Sequence, residues 1–272
     1  VDYSMNNLIV GSTSQISHYF PSEYHRVSSR NYESALNTKW DAVYICFGEN
    51  RTFLANTTDN LMMKSFYDVN HTMTIDVVER FSPISRKVVV YSTADLWNDT
   101  TGPIDINRPF QFKSNHYIMS KYAMSIKLKD KSLYPNVSVA YPFNFNGIYR
   151  KGEFLFGKVF DSIINKKPIT LGDTYYYRDI LHPSMVANES MSHDVGEDFM
   201  IGSGRLTFVN DLIRELYKSF NLSYNDLVKE EWKTPAQYRN RIFYSANQSI
   251  NPTNETVINL LIKELKGAIN GG

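Results

Sequence analysis

The sequence predicts an α/β protein: an open parallel sheet wound with helices on both faces, followed by a smaller α/β lobe. Three observations carry that expectation. Short apolar runs recur between residues 7 and 143, and helix-length stretches separate them. Beyond about residue 144 the alternation gives way to longer helices joined by short strands. Nearly continuous apolar strands are buried on both faces, as in a parallel sheet covered by its crossover helices.

The elements follow in order. "NLIVG" (7–11) is a buried strand that stops at a glycine, and "HRVSSR" (25–30) reads as a second strand. "WDAVYICFG" (40–48), "RKVVVYST" (86–93) and "NVSVAYPF" (136–143) are the third, fourth and fifth, the last ended by proline. Helical patterns span 60–81 and 115–132. In the second half, 152–168, 206–220 and 254–269 read as helices, and "ITLGD" as a short strand and turn. The expected division is a nucleotide-type domain over 1–143 and a smaller lobe over 144–272, with segments of the lobe able to return to the first domain. No internal repeat or low-complexity linker interrupts the chain.

Bulk properties exclude several classes. A formal charge of +1 argues against nucleic-acid binding or membrane-surface binding driven by net electrostatics. No run approaches the 18 apolar residues that a bilayer-spanning helix requires. Cys46, the single cysteine, lies in an apolar run and reads as a buried structural thiol. The nine Asn-x-Ser/Thr sequons read as composition in a chain rich in Asn and Ser. The opening "VDYSMNNLIVGSTSQ" lacks the basic and apolar blocks of a secretion signal, so a cytoplasmic protein is expected.

Chemistry concentrates where the strands end, because ligands of such sheets bind at the carboxyl edge. "VGSTSQIS" (10–17) follows the first strand. A turn there lets a dinucleotide pyrophosphate approach the backbone at a helix N-terminus. Of three customary glycines only Gly11 is present; Ser14 and Ser17 stand at the other two places. Ser29 and Arg30 close the second strand, where arginine accommodates the 2′-phosphate of NADP and an acidic residue would favour NAD. Thr93 ends the fourth strand. Tyr117-x-x-x-Lys121 lies 24 residues further on, and it is the sole Tyr-x-x-x-Lys among 19 tyrosines. Residues four apart share a helix face about 5–6 Å from each other, so a lysine there can favour a phenolate.

In this order, the motifs resemble the extended branch of the short-chain dehydrogenase/reductase superfamily, which acts on nucleotide sugars. The resemblance runs through "VGSTSQIS", "DVNHTMTIDVVE" (68–79), "VVVYSTADLW" and "YIMSK". It continues through "YPFNFNGIY" (141–149), "LGDTYYYRDILHPSMVA" (171–187) and "MIGSGRLTFVNDLIREL" (200–216), and so covers nearly the whole chain.

The resemblance implies a Rossmann-type domain that binds NADP(H), with NAD(H) as the alternative. It makes Tyr117 the general acid/base, Lys121 its electrostatic partner and a ligand of the nicotinamide ribose, and Thr93 the hydroxyl on the reacting oxygen. It assigns the cofactor to Gly11, Ser12, Thr13, Ser14, Gln15, Ile16, Ser29, Arg30, Phe47, Gly48 and Pro142, beside Tyr117 and Lys121. It implies substrate contacts at Thr93, Asp95, Asn144 and Arg178, the last a guanidinium fork suited to a diphosphate. His182 is expected to be structural. No metal site is expected.

Several positions depart from the family pattern. Asp95, a further candidate catalytic residue, stands where dehydratases carry a proton-moving glutamate, with a solvated or helix-capping aspartate as its ordinary alternative. Tyr141 replaces an arginine and Trp97-Asn98 a Tyr-Gly pair, both expected to reshape the sugar pocket. Pro183-Ser184 replaces Val-Asp and leaves that loop less typical. The reaction expected first is NADP(H)-linked reduction of a 4-keto-6-deoxy sugar nucleotide, with an epimerase next and a 4,6-dehydratase last. A non-catalytic cofactor-binding member remains the reading outside enzymes. By analogy with relatives, helices at 60–81 and 110–130 would form a four-helix bundle in a homodimer.

Overall fold

The computed structural model describes residues 6–100, 102–231, 243–245 and 256–271. The opening residues 1–5 and the sequons at Asn247 and Asn254 lie outside the described residues. By its own contacts the chain divides into two units. The first comprises residues 1–100, 106–142 and 186–201, and the second 101–105, 143–185 and 202–272.

The first unit is built on strands β1 (Asn7–Val10), β2 (His25–Val27), β3 (Trp40–Ile45) and β4 (Ser85–Tyr91). Two later strands, β6 (Val137–Pro142) and β11 (Phe199–Ile201), complete a six-stranded sheet in the order β11-β6-β4-β3-β1-β2. Every pairing in it is parallel. All residues of β1, β6 and β11 are buried, which is why their sequences read as unbroken apolar runs. The expected α/β fold with a parallel sheet is the fold found.

The strand order carries more than the sequence revealed. Dinucleotide folds commonly run 3-2-1-4-5-6, with a third strand outside the second. Here β2 is itself the sheet edge among the described residues, and β3 pairs directly with β1. The connections are reduced to match. Residues 11–24 hold one 3-10 turn (Ile16–Tyr19) and residues 28–39 another (Tyr32–Ala35), with no α-helix in either. The second strand ends at Val27 instead of residue 30, because the Asn31 amide closes a turn on the Ser28 carbonyl.

Side chains do the work of the absent crossover helices. Phe20 and Tyr24 from the first connection pack on Tyr44 of β3, with ring centroids 4.6 and 6.1 Å away. Arg26 of β2 gathers the same connection: its guanidinium donates to the carbonyls of Phe20, Pro21, Ser22 and Tyr24 at 2.8–3.1 Å. Four backbone acceptors without helical partners are thereby satisfied by one planar donor.

Between β3 and β4 the chain is helical from 60 to 81, as expected, but not uniformly. Helices α1 (Asn60–Tyr67) and α2 (Thr74–Phe81) flank a π-helical segment, Asp68–Met73. Thr74 Oγ1 donates to the Val69 carbonyl at 2.9 Å, an i to i−5 bond that matches the wider winding. Helix α3 (His116–Leu128) starts at Asn115, whose side chain accepts the Ile118 amide at 2.8 Å.

The second unit contains β5 (Gly102–Ile104), β7 (Asn144–Phe145), α4 (Leu155–Asn165), β8 (Ile169–Leu171), β9 (Tyr177–Arg178) and β10 (Ile180–Leu181). Helix α5 (Pro183–Ser192) returns the chain to the first unit. Then come β12 (Thr207–Phe208), α6 (Val209–Ser219), α7 (Tyr224–Leu227), β13 (Val228–Glu230), β14 (Phe243–Ser245) and α8 (Val257–Gly271). Its strands form two-stranded pairs: β10 with β7, β12 with β9, β13 with β8, and β14 with β5. Its core joins Phe156, Phe160, Ile213, Leu216, Leu261 and Leu265 from α4, α6 and α8. Lys166, left-handed at φ 53°, stops α4 short of the expected residue 168.

Candidate active site

The turn after β1 is tight for a steric reason. Gly11 has φ +101°, and a Cβ there would lie 2.7 Å from the Phe47 backbone nitrogen. Only glycine fits. The Gly11 and Ser12 amides both donate to the Val27 carbonyl, at 2.9 and 3.1 Å, so β2 holds the turn closed. Ser17 is also occupied: its hydroxyl donates within the turn to the carbonyls of Ser12 and Ser14. Ser14 differs. Its Oγ is buried and has no protein partner.

The expectation of a helix N-terminus behind this turn is not met, since Ile16–Tyr19 is one 3-10 turn. The short connection to β2 leaves no room for a helix. Ser29 is half-buried and Arg30 exposed in the turn after β2, in the same unit. A strained glycine, a buried hydroxyl lacking a partner and an arginine past β2 suit a dinucleotide. Such a cofactor would be held by the turn and its side chains, without a helix dipole.

At the end of β3, Phe47 and Gly48 come next to the π-helical segment. A Cβ on Gly48 would lie 3.2 Å from Asn70 Oδ1 and 3.4 Å from Lys121 Nζ. Asn70, fully buried in that segment, accepts the Glu49 amide at 2.9 Å. It donates to the Glu49 carbonyl at 2.9 Å and to Ser120 Oγ at 3.1 Å. Ser120 in turn donates to the Tyr117 carbonyl at 2.7 Å. Asn70 therefore ties the end of β3 to the first turn of α3. Sequence reasoning quoted the stretch around it without singling it out. A lone polar residue on the apolar face of a helix was the signal that could have found it. Its burial also bars the Asn70 sequon from modification in the folded protein.

Tyr117 and Lys121 both face inward from α3, 9% and 6% exposed. Tyr117 packs edge-on against Phe66 of α1. The Lys121 ammonium donates to the Tyr91 carbonyl at 2.8 Å, and burial lowers its pKa to about 8. It remains mostly charged at neutral pH, close enough to titration for its charge to respond to a neighbour.

β4 delivers the hydroxyls. Thr93 is buried, and its Oγ1 accepts the Asp95 amide at 3.1 Å, capping the turn Ala94–Trp97. That bond leaves the hydroxyl hydrogen to donate. Ser92 instead pairs with Ser125 of α3 at 2.8 Å, beneath the helix. Asp95 is half-buried in the capped turn, where its amide and carbonyl complete the cap.

Trp97 and Tyr141 were expected to reshape a sugar pocket, and the structure corrects this. Both are fully buried. Their rings lie 5.3 Å apart, with Phe110 at 4.9 and 5.9 Å from them. Trp97 Nε1 donates to the Arg108 carbonyl at 3.1 Å. The two departures thus fill one aromatic cluster that anchors the segment before α3. Cys46 is buried as expected, with its thiol pKa raised by desolvation.

In the second unit, Asn144 is exposed on β7, paired in register with Ile180. Arg178 is half-buried on β9, its guanidinium over the Tyr176 ring at 4.6 Å and donating to the Tyr177 carbonyl. His182 is buried; its Nδ1 lies 2.7 Å from Ser184 Oγ and its Nε2 3.0 Å from Glu264. Pro183 opens α5 at the position where a proline costs a helix nothing. Among the described residues no cluster of His, Cys, Asp and Glu is suited to a metal, and no helix is long and apolar enough to cross a membrane.

No protein-family model matches the sequence, and no curated protein matches it. Solved structures match along the whole chain. The structure of RMD from Pseudomonas aeruginosa complexed with NADPH aligns with TM-score 0.79 over 98% of this chain and 99% of that one, at 16% identity. A UDP-N-acetylglucosamine 4-epimerase from Methanobrevibacter ruminantium M1 aligns with TM-score 0.76 over 97% and 99%, at 13% identity. A dTDP-glucose 4,6-dehydratase from Bacillus anthracis in complex with NAD aligns with TM-score 0.73 over 97% of both chains, at 16% identity. This chain has the fold these proteins share.

Proposed function

We propose that the chain is a member of the extended short-chain dehydrogenase/reductase family that reduces a 4-keto-6-deoxy sugar nucleotide with NADPH. The observation that carries an oxidoreductase reading is a set of buried residues: Lys121, bonded to the Tyr91 carbonyl at the end of β4 and beside Gly48, Tyr117 one helical turn before it, and Thr93 two residues past β4. The short connection after β1 favours a reductase over an epimerase. A helix N-terminus contributes roughly 0.3–1 kcal/mol to a nearby anion, up to about 2 in partly buried geometry. A cofactor held without one exchanges more readily, which suits an enzyme that must release oxidised cofactor every turnover.

The turn at Gly11, the Ser14 hydroxyl, and Ser29 with Arg30 would hold the dinucleotide. When bound in reduced form, it supplies the hydride. Thr93 donates a hydrogen bond to the substrate carbonyl oxygen, and Tyr117 gives that oxygen its proton as the alcohol forms. The Lys121 ammonium, one helical turn away, stabilises the phenolate that Tyr117 becomes. Solvent then returns the proton. The resemblance assigns Asn144 to the sugar and Arg178 to the diphosphate; both belong to the second unit. Asp95 lies half-buried inside the turn that Thr93 caps and is assigned no proton-moving role.

The decisive measurement is NADPH oxidation with 4-keto-6-deoxyhexoses linked to dTDP, GDP or UDP. One cofactor consumed per alcohol formed supports the reductase, and Tyr117→Phe is expected to abolish it. Interconversion of sugar epimers without net change in cofactor would sink the assignment. In quaternary structure, Leu61 and Ile126 are 80% and 47% exposed on α1 and α3, which suits a helical dimer face.

A further inference from the structure

Helix α8 lies far in sequence from every residue assigned to substrate, yet it supplies one carboxylate to the backbone that follows Asn144. The β7–β10 ladder pairs Asn144 with Ile180 and Phe145 with Leu181, and the Asn146 amide donates to the Leu181 carbonyl at 3.0 Å. The strand partner then ends, because the chain turns at His182 into α5. The next outward amide, Ile148, finds its acceptor elsewhere: Glu264 Oε2 of α8, at 3.1 Å. The same oxygen lies 3.0 Å from His182 Nε2.

Hydrogen-bond chemistry settles the imidazole. Nδ1 faces both the Ser184 amide, at 3.3 Å, and the Ser184 hydroxyl. An amide can only donate, so Nδ1 is the acceptor and Nε2 carries the hydrogen, 3.0 Å from Glu264 Oε2 but outside hydrogen-bond geometry. Glu264 thus meets both ends of a short ribbon: one oxygen accepts the amide after β7 and lies beside the ring after β10. Its side chain is 19% exposed and that of His182 is 3% exposed, so this carboxylate bridge is shielded from competing water. Leu261 and Leu265, each 1% exposed, seat the helix that carries it.

We propose that Glu264 is a positioning residue for the substrate lobe: from the C-terminal helix it fixes the Asn144–Ile148 segment and thereby the presentation of Asn144. This rests on the reading of Asn144 as a substrate contact, which makes α8 part of sugar recognition although it touches no substrate. Glu264→Gln keeps an oxygen for Ile148, whereas Glu264→Ala takes the acceptor from that amide and the 3.0 Å contact from His182 Nε2.

Two readouts separate the claims. Amide hydrogen exchange on the intact protein reports the latch itself: Ile148 exchange is expected to rise at least tenfold in Glu264→Ala and to stay within about threefold of wild type in Glu264→Gln. Steady-state kinetics with the 4-keto sugar nucleotide report its use. Glu264→Ala should raise KM about fivefold or more with kcat within twofold and NADPH affinity unchanged, and Glu264→Gln should recover most of the loss. Unchanged Ile148 exchange in Glu264→Ala, equal losses in both variants, or a weakened NADPH affinity would each overturn the proposal. Should the alanine variant not fold, His182→Gln, which breaks one arm of the bridge, is expected to raise KM in the same direction; an unchanged KM refutes it. Should the wild type reduce no sugar nucleotide, the functional reading fails while the exchange result still decides the latch.

Discussion

The Lys121 ammonium donates to the Tyr91 carbonyl at 2.8 Å from a wholly buried position, one helical turn past Tyr117. The lysine is held charged where burial opposes charge, a cost to folding that the proposed chemistry requires.

Lys121→Met should therefore stabilise the protein while abolishing turnover. With pKa about 8 folded against the ordinary 10.5, burial disfavours the folded state fully below pH 8. The disadvantage shrinks between pH 8 and 10.5, where the folded protein sheds the proton and the unfolded chain keeps it. At 1.36 kcal/mol per pKa unit, less the lost hydrogen bond, the gain at pH 7 is roughly 1–3 kcal/mol. Urea denaturation at pH 7 and pH 10 checks this: wild-type stability should rise relative to Lys121→Met across that window.

Asn70→Ala should cost about 1–3 kcal/mol, because it leaves the half-buried Glu49 amide and carbonyl without their side-chain partner. A denaturation midpoint within 0.5 kcal/mol of wild type would refute the tie between β3 and α3.

Gly11→Ala should be worse tolerated than Gly102→Ala. Both glycines have positive φ, but a Cβ at Gly11 meets Phe47 while nothing lies within 4 Å at Gly102. Backbone strain of roughly 1 kcal/mol is common to both, so the excess loss at Gly11 measures the contact. Titration of NADPH fluorescence should show weakened binding for Gly11→Ala only.

Tyr141→Arg, which installs the residue that the resemblance expects, should unfold the protein or cost more than about 3 kcal/mol. It would place a cation among Trp97, Phe110 and its own buried strand. A stable variant with altered sugar preference would return Tyr141 to the pocket.

Sedimentation at micromolar concentration should give twice the chain mass. Leu61→Glu with Ile126→Glu, two exposed positions, should give the single-chain mass at unchanged stability.

The sequence makes β1, β3, β4 and β6 legible because each is buried along most of its length and so carries a nearly continuous apolar run. Tyr117 and Lys121 are legible because their spacing is a helical one. The shortened connections are not legible in that way. Aromatic residues such as Phe20 and Tyr24 serve a helix or a loop equally well, and the four carbonyls held by Arg26 are backbone groups with no sequence signature. Asn70 escapes notice because one asparagine on an apolar helix face says little until its bonds to Glu49 and Ser120 are seen. Trp97 and Tyr141 mislead for a related reason: a substitution from a family pattern says that a position changed, but only packing shows that both changes fill one space.

Ending the sheet at β2 has a cost in the crowded solution where proteins work. An outermost strand offers unpaired backbone groups that another chain can extend, which is a route to aggregation. This one offers little to extend. It is three residues long, its middle residue is an arginine whose head group is engaged by the neighbouring loop, and its last carbonyl already receives two amides from the Gly11 turn. The same contacts that shape the turn for a ligand leave strangers almost no strand to join.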